Sequence, residues 1–188
     1  LGIGMAYSIQ DFGLHHVTEP LPIFTIILKD YIKLNEYLKQ VILDYRERYP
    51  QSNTSNVQAW HSVYNTHKIT NKFQPLIDEV VNACSFISKE YYGEGNVEFD
   101  VFNLWAAMYE KSEYTVRHRH YPADFSVTYY VDVEPDCAPI VFDTLTITPK
   151  SGMLVIWQAL LHHEVPPTNS RRTVIAMNIA NKHKMNYE

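Results

Sequence analysis

The sequence predicts an α+β fold, a closed or sandwiched β structure with helices packed on one outer face. Three observations carry this expectation. Helical apolar spacing is confined to about residues 30–93, β-branched and aromatic runs fill about 97–181, and the longer runs alternate between an apolar side and a side bearing polar groups. With 188 residues, 46% hydrophobic and 20% charged, the chain can bury one core, and residues 1–188 read as one domain.

The first helix opens at Asp30, a residue type that favours the N-cap. Tyr31, Leu34, Leu38, Val41 and Tyr45 then recur at helical spacing until Pro50 ends the run. A polar loop, Gln51 to Asn56, follows. The second helix carries Pro75 in its first turn, where a missing N–H costs nothing. Its stripe of Leu76, Val80, Cys84, Ile87 and Tyr91 leads to Gly93, placed as a C-terminal stop. Strands are then expected at Val97 to Tyr109, Tyr114 to His120, Phe125 to Val133, Pro139 to Phe142, Thr144 to Thr148, Met153 to Trp157 and Arg172 to Ala180, punctuated by Pro, Asp, Gly and Asn.

Alternation assigns the faces. Val127, Tyr129, Val131 and Val133 share one side of their strand, and Ser126, Thr128, Tyr130 and Asp132 the other. In the last strand Thr173, Ile175, Met177 and Ile179 oppose Arg172, Val174, Ala176 and Asn178. Tyr109 shares a face with Asn103 and Trp105. Apolar faces suit helices, and mixed faces suit the lining of a small barrel that holds a site.

Composition excludes several functions. A net charge of −5 provides no basic surface for nucleic acid. The longest apolar run, Pro22 to Leu28, is far below the roughly 20 residues of a membrane span. No basic, cleavable leader is visible at the N-terminus, so a cytoplasmic location is the expectation. Two cysteines cannot make a four-thiolate zinc or iron–sulfur site, and Cys84 lies on a core stripe. Any metal must therefore rest on the nine histidines.

The run Tyr114-Thr-Val-Arg-His118-Arg-His120-Tyr-Pro122 is the focal point. On a strand, His118 and His120 project from one face, as two ligands of one ion must. Downstream, the turn Pro149-Lys-Ser-Gly152 enters a strand, followed by Gln158-Ala-Leu-Leu-His162-His163-Glu-Val-Pro-Pro167. A histidine there can complete a three-ligand facial site with open positions. Nine residues after His163, Arg172 opens the last strand. A guanidinium on an interior face needs an anion, and its fork matches a carboxylate. An ion pair with Asp132, Asp143 or Glu164 is the structural alternative. His15, His16, His61, His67 and His183 read as surface or loop residues.

The ordered set of His-x-His, Gly-x-Leu-Val-x-Trp, His-x-Val-x-Pro and Arg ahead of Ile-Ala-x-Asn resembles the double-stranded β-helix Fe(II)/2-oxoglutarate oxygenases. The nearest resemblance is to a subfamily of small bacterial and phage proteins in the prolyl-hydroxylase-like group. It spans most of the chain, through Pro22-Ile-Phe24, Ser55-Asn-Val-Gln-Ala-Trp60-His-Ser62, Leu104-Trp105 and Ser126-Val-Thr-Tyr-Tyr130.

The resemblance implies a jelly-roll barrel with N-terminal helices on one outer sheet face. It also implies an Fe(II) site of His118, His120 and His163, with His120 standing where most of the superfamily has Asp. Arg172 would clamp the distal carboxylate of 2-oxoglutarate, with Tyr130, Tyr109, Asn178 and Asn103 among the cofactor-binding residues. With O2 as cosubstrate, an unidentified, peptidyl substrate would be hydroxylated with release of succinate and CO2. Asp124 is the rival of His120, and His162 that of His163. Ala107 and Ser112 stand where the subfamily pattern has Asn and Gly. A third histidine in place of a carboxylate leaves the site one negative charge short, which predicts weaker divalent-metal binding or a different metal. A cupin-type three-histidine metalloprotein without 2-oxoglutarate and an inactive, metal-free binding domain are the alternatives. The oligomeric state is open, a homodimer included, and Asn53 to Lys72 and Asp132 to Pro139 are the expected substrate-selecting segments.

Overall fold

The structure, a computed structural model, describes residues 21–51 and 55–185. Its elements are β1 (Ile23–Ile27), α1 (Tyr31–Arg48), β2 (Val57–Gln58), β3 (Trp60–His61), α2 (Thr66–Ile69), a 3-10 turn (Asn71–Phe73), α3 (Gln74–Glu90) and β4 (Phe99–Tyr109), followed by β5 (Tyr114–His118), β6 (Phe125–Val133), β7 (Ile140–Phe142), β8 (Thr146–Ile147), β9 (Met153–Gln158), β10 (His163–Val165), β11 (Arg172–Asn181) and α4 (Lys182–Met185). Both long helices lie where apolar spacing puts them. Asp30 occupies the N-cap of α1, but its side chain makes no capping hydrogen bond. Pro75 sits in the first turn of α3 and Gly93 follows that helix with φ +66°, a left-handed conformation that glycine adopts without strain. Tyr91 falls just past the helix and is exposed rather than part of the stripe. No helix among the described residues is long and apolar enough to cross a membrane.

Two antiparallel sheets form, ordered β1-β9-β6-β11-β4-β3 and β2-β5-β10-β7-β8. Neither closes on itself, so the arrangement is a pair of open sheets rather than a closed barrel. The six-stranded sheet packs its outer face on α1 and α3. Leu38, Ile42, Leu76 and Val80 meet Tyr129, Leu154, Ile156 and Ile175, all buried. A second apolar cluster, including Trp105, Tyr130, Phe142, Trp157 and Val174, lies between the sheets. Burying each large apolar side chain contributes about 1.5–3 kcal/mol, so these clusters dominate the stability. Gly152, entering β9, has φ +80°, and a Cβ there would lie 2.2 Å from Cγ of Tyr31. Its N–H donates to the Tyr130 carbonyl and its carbonyl accepts from Leu28 N–H, which ties the start of α1 to the sheet.

Two bulges change which residues face the site. Between β11 and β6, Thr173 pairs with Asp132 and Val174 with Tyr130, so Val131 is an extra residue. Beyond it the alternation inverts. Asp132 turns toward α1 and pairs with Lys39 at 2.5 Å, while Val133 packs between the sheets; simple alternation assigns both the other way. In β4, Phe102 is the extra residue, so Val101 and Leu104 both join the helix-side core while Asn103 pairs with Asn178 across to β11. Ser112, where the subfamily pattern has Gly, adopts φ 72°.

Candidate active site

β5 and β10 are antiparallel neighbours, and His163 lies directly opposite His118. His120 sits in the turn beyond β5, where its backbone N–H donates to the Ala159 carbonyl. One ligating nitrogen from each of the three histidines lies within 4.8 Å of the others. The Nε2 atoms of His118 and His120 are 3.1 Å apart. Nδ1 of His118 donates to the Val116 carbonyl at 2.7 Å, and Nδ1 of His163 to that of Leu161 at 3.3 Å. Those bonds place the proton on Nδ1 and turn a bare Nε2 inward.

Burial, reinforced by the neighbouring imidazoles, pushes His163 down to about 2 and His120 to about 3. His118 is lowered by burial as well, against the opposing pull of the Val116 carbonyl. All three rings are therefore neutral near pH 7, the form that binds a metal. His162 lies outside the group. The Asp124 carboxylate accepts the Asn181 N–H at 2.7 Å and lines a different cavity.

His118, His120 and His163 share a narrow inter-sheet cavity with Tyr109, Trp157 and Arg172, with about 40 Å³ of open space. Arg172 is 2% exposed. Its Nη1 donates to the Ala138 carbonyl at 2.6 Å, and its guanidinium carbon lies 5.0 and 5.2 Å from the Tyr109 and Tyr130 rings. None of the three carboxylates of the ion-pair alternative pairs with it. Asp132 takes Lys39 and Asp143 takes Arg117, and Glu164 makes no ion pair among the described residues. Three buried polar atoms here have no hydrogen-bond partner among the described residues: Arg172 Nε, Tyr130 Oη and Trp157 Nε1. Burial raises both tyrosines above the usual phenol range, against the opposing pull of Arg172, so they remain neutral donors. Tyr109 Oη is already engaged with Thr115 Oγ1 at 2.6 Å.

No protein-family model matches the chain, and no curated protein matches it. Solved structures do. A prolyl-4-hydroxylase from Pseudomonas putida aligns with a TM-score of 0.64 at 12% identity, over 86% of this chain and 94% of that one. A prolyl hydroxylase from Trichoplax adhaerens, in complex with a hypoxia inducible factor peptide fragment, aligns at 0.62 with 15% identity over 86% of each chain. The α-ketoglutarate-dependent carbocyclase SnoK of nogalamycin biosynthesis aligns at 0.66 with 10% identity, over 89% of this chain and 87% of that one. The chain has the fold of the 2-oxoglutarate/Fe(II) oxygenases and prolyl hydroxylases.

Within this oxygenase fold, the expected residues divide between two cavities. Tyr109 lines the Arg172 cavity, and Tyr130 adjoins it through its contact with the guanidinium. Asn103 and Asn178 instead line an open cavity of about 280 Å³ beside His118 and His120, together with Tyr64 and Trp105. Sequence reasoning missed Thr115 and Trp157. Thr115 shares the inward side with His118 only because the β5–β10 pairing slips by one residue, and Trp157 packs 4.7 Å from the His163 ring. His61, expected at the surface, is buried, with its ring nitrogens on Ser55 Oγ and the Ser62 carbonyl. His15 and His16 lie outside the described residues. Residues 57–61 form β2 and β3 on the two sheets, and Glu134 and Ala138 bond to Arg171, Arg172 and Thr168. Both expected substrate-selecting segments thus help build the scaffold.

Proposed function

We propose that the chain is an Fe(II)- and 2-oxoglutarate-dependent oxygenase of the double-stranded β-helix type, acting on a peptidyl substrate. The observation that carries this reading is Arg172. It is a buried guanidinium with no carboxylate partner among the described residues, in the same cavity as three neutral imidazoles. Burying an unpaired charge costs several kcal/mol, and a bound dicarboxylate offsets that cost.

In this reading His118, His120 and His163 hold Fe(II). Arg172 receives the distal carboxylate of 2-oxoglutarate through its unpartnered Nε edge, and the free phenol of Tyr130 donates to the same group. Tyr109, tied to Thr115, braces the guanidinium from one side. Because the open space is small, an incoming carboxylate has to part the lining side chains and displace any water there. Bound iron supplies the chemistry with O2 that converts 2-oxoglutarate to succinate and CO2 and hydroxylates the substrate. The chain's own task is to orient both reactants and keep water out. The open cavity beside His118 and His120 is lined by side-chain amides, aromatic rings and Arg119, with no carboxylate among the described residues, which suits an extended peptide. The peptide complex of the Trichoplax adhaerens enzyme supports the same class.

The test is succinate formation from 2-oxoglutarate with Fe(II) and ascorbate, with and without peptides. Loss of a charge-assisted pair costs about 1.5–3 kcal/mol, so Arg172→Ala should raise the half-saturating 2-oxoglutarate concentration about 10- to 150-fold. An unchanged 2-oxoglutarate dependence would remove Arg172 from this role. A donor set without a carboxylate also suits a cupin-type metalloprotein, and metal binding with no succinate release under any condition would select that reading.

A further inference from the structure

Hydrogen bonding divides the three histidines two against one. His118 and His163 each point Nδ1 at a backbone carbonyl, which leaves Nε2 bare. Nδ1 of His120 instead lies 3.4 Å from Nδ2 of Asn178, an amide nitrogen that can only donate. Its Nε2 lies 3.1 Å from the bare Nε2 of His118. The Asn178 contact calls for the proton of His120 on Nε2, the atom a metal needs free.

Asn178 is held in that orientation. The Ser126 hydroxyl donates to its Oδ1 at 3.0 Å, and its Nδ2 also donates to Asn103 Oδ1 at 3.3 Å. Asn103 Nδ2 in turn donates to Asn65 Oδ1 at 3.4 Å. The donors thus run in one direction along the row, from Asn178 to Asn103 and from Asn103 to Asn65. Turning a side-chain amide over exchanges its donor and acceptor ends with almost no change of shape.

We infer that Asn178 is a positioning residue that sets the tautomer of His120, and that ligation through Nε2 of His120 requires its amide turned over. In the turned state Oδ1 of Asn178 accepts from Nδ1–H of His120 and the ring's Nε2 is freed to ligate. The proton passes from Nε2 to Nδ1 through solvent, with no net change in charge. This rests on the metal reading of the three histidines. It assigns to Asn178 the outer-shell part that backbone carbonyls play for His118 and His163.

The test uses the full metal-free chain, zinc(II) as probe and chelator competition at neutral pH. Asn178→Asp replaces the amide by a group that only accepts, and should tighten zinc about 10- to 100-fold. Asn103→Asp gives Asn178 Nδ2 a stronger acceptor, holds the amide as it stands, and should weaken zinc about 10-fold. A purely electrostatic effect would tighten both, and that result overturns the inference, as does equal affinity in all three proteins. Nitrogen-15 NMR of the histidine rings provides a readout in the unmodified chain. Metal-free wild type should show His120 protonated on Nε2, moving to Nδ1 with zinc; protonation on Nδ1 before zinc is added overturns the inference. Should wild type bind no zinc, the metal reading falls and takes this inference with it, whereas equal zinc binding by all variants removes only the role of Asn178.

Discussion

The two faces of the six-stranded sheet are made from the same strands and serve opposite ends. Toward α1 and α3, Tyr129, Leu154, Ile156, Ile175 and Met177 form a closed apolar layer, whose buried polar contact is Tyr129 Oη donating to Asn35. Toward the smaller sheet, the intervening residues Ser126, Tyr130, Trp157, Arg172 and Asn178 carry polar groups, several of them unsatisfied. Alternation lets one strand place stability on one set of alternate positions and chemistry on the other. The difference teaches that stability and ligand binding should respond to separate substitutions.

The largest expected effect is acid, acting through the buried histidines of the inner face. His120 and His163 have folded pKa values below the ordinary 6.5, so below pH 6.5 the unfolded chain takes up protons that the folded chain refuses. Stability is whole above that pH and should fall by about 1.4 kcal/mol per pH unit for each ring below it. Urea midpoints of the metal-free protein between pH 7 and about pH 5 check this. A flat profile would mean that the rings protonate in place.

Next comes Leu154→Ala, on the helix side and fully buried. It should cost about 2–5 kcal/mol in urea unfolding while leaving zinc affinity unchanged. A folded variant with weakened zinc binding would break the separation of faces. Arg172→Met sharpens it in the other direction. Removing a buried, unpaired charge should raise metal-free stability by about 1–4 kcal/mol, while the proposed 2-oxoglutarate binding weakens. A destabilised variant would show that the Ala138 contact outweighs the desolvation of the guanidinium. Smallest is Asp132→Asn. Its partner Lys39 is more than half exposed, so thermal unfolding should register about 1 kcal/mol or less.

Much of this architecture is legible in the residues. The stripes of α1 and α3, the span of β6 and the inward parity of Tyr130 and Arg172 all follow from local periodicity, because a helix or strand presents its side chains at fixed intervals. The bulges at Val131 and Phe102 do not, since an extra residue depends on the partner strand, and they move Asp132 and Val133 to the faces opposite those expected. The short strands β2, β3 and β10 are equally silent, being only two or three residues long and formed by pairing rather than propensity.

The candidate site divides along the same line. Histidine in place of thiolate, the His-x-His spacing and an arginine opening the last strand were settled by the chain itself, because residue type sets what can ligate and what must be neutralised. Folding alone decided that His163 rather than His162 stands opposite His118 and that Asp124 turns away to Asn181. It decided, too, that no carboxylate among the described residues reaches Arg172 and that an amide rather than a carbonyl meets Nδ1 of His120. Those are contacts between residues as far as 93 positions apart or between neighbours that differ only in direction, and distance along a chain carries no energy until strands pair and bury it.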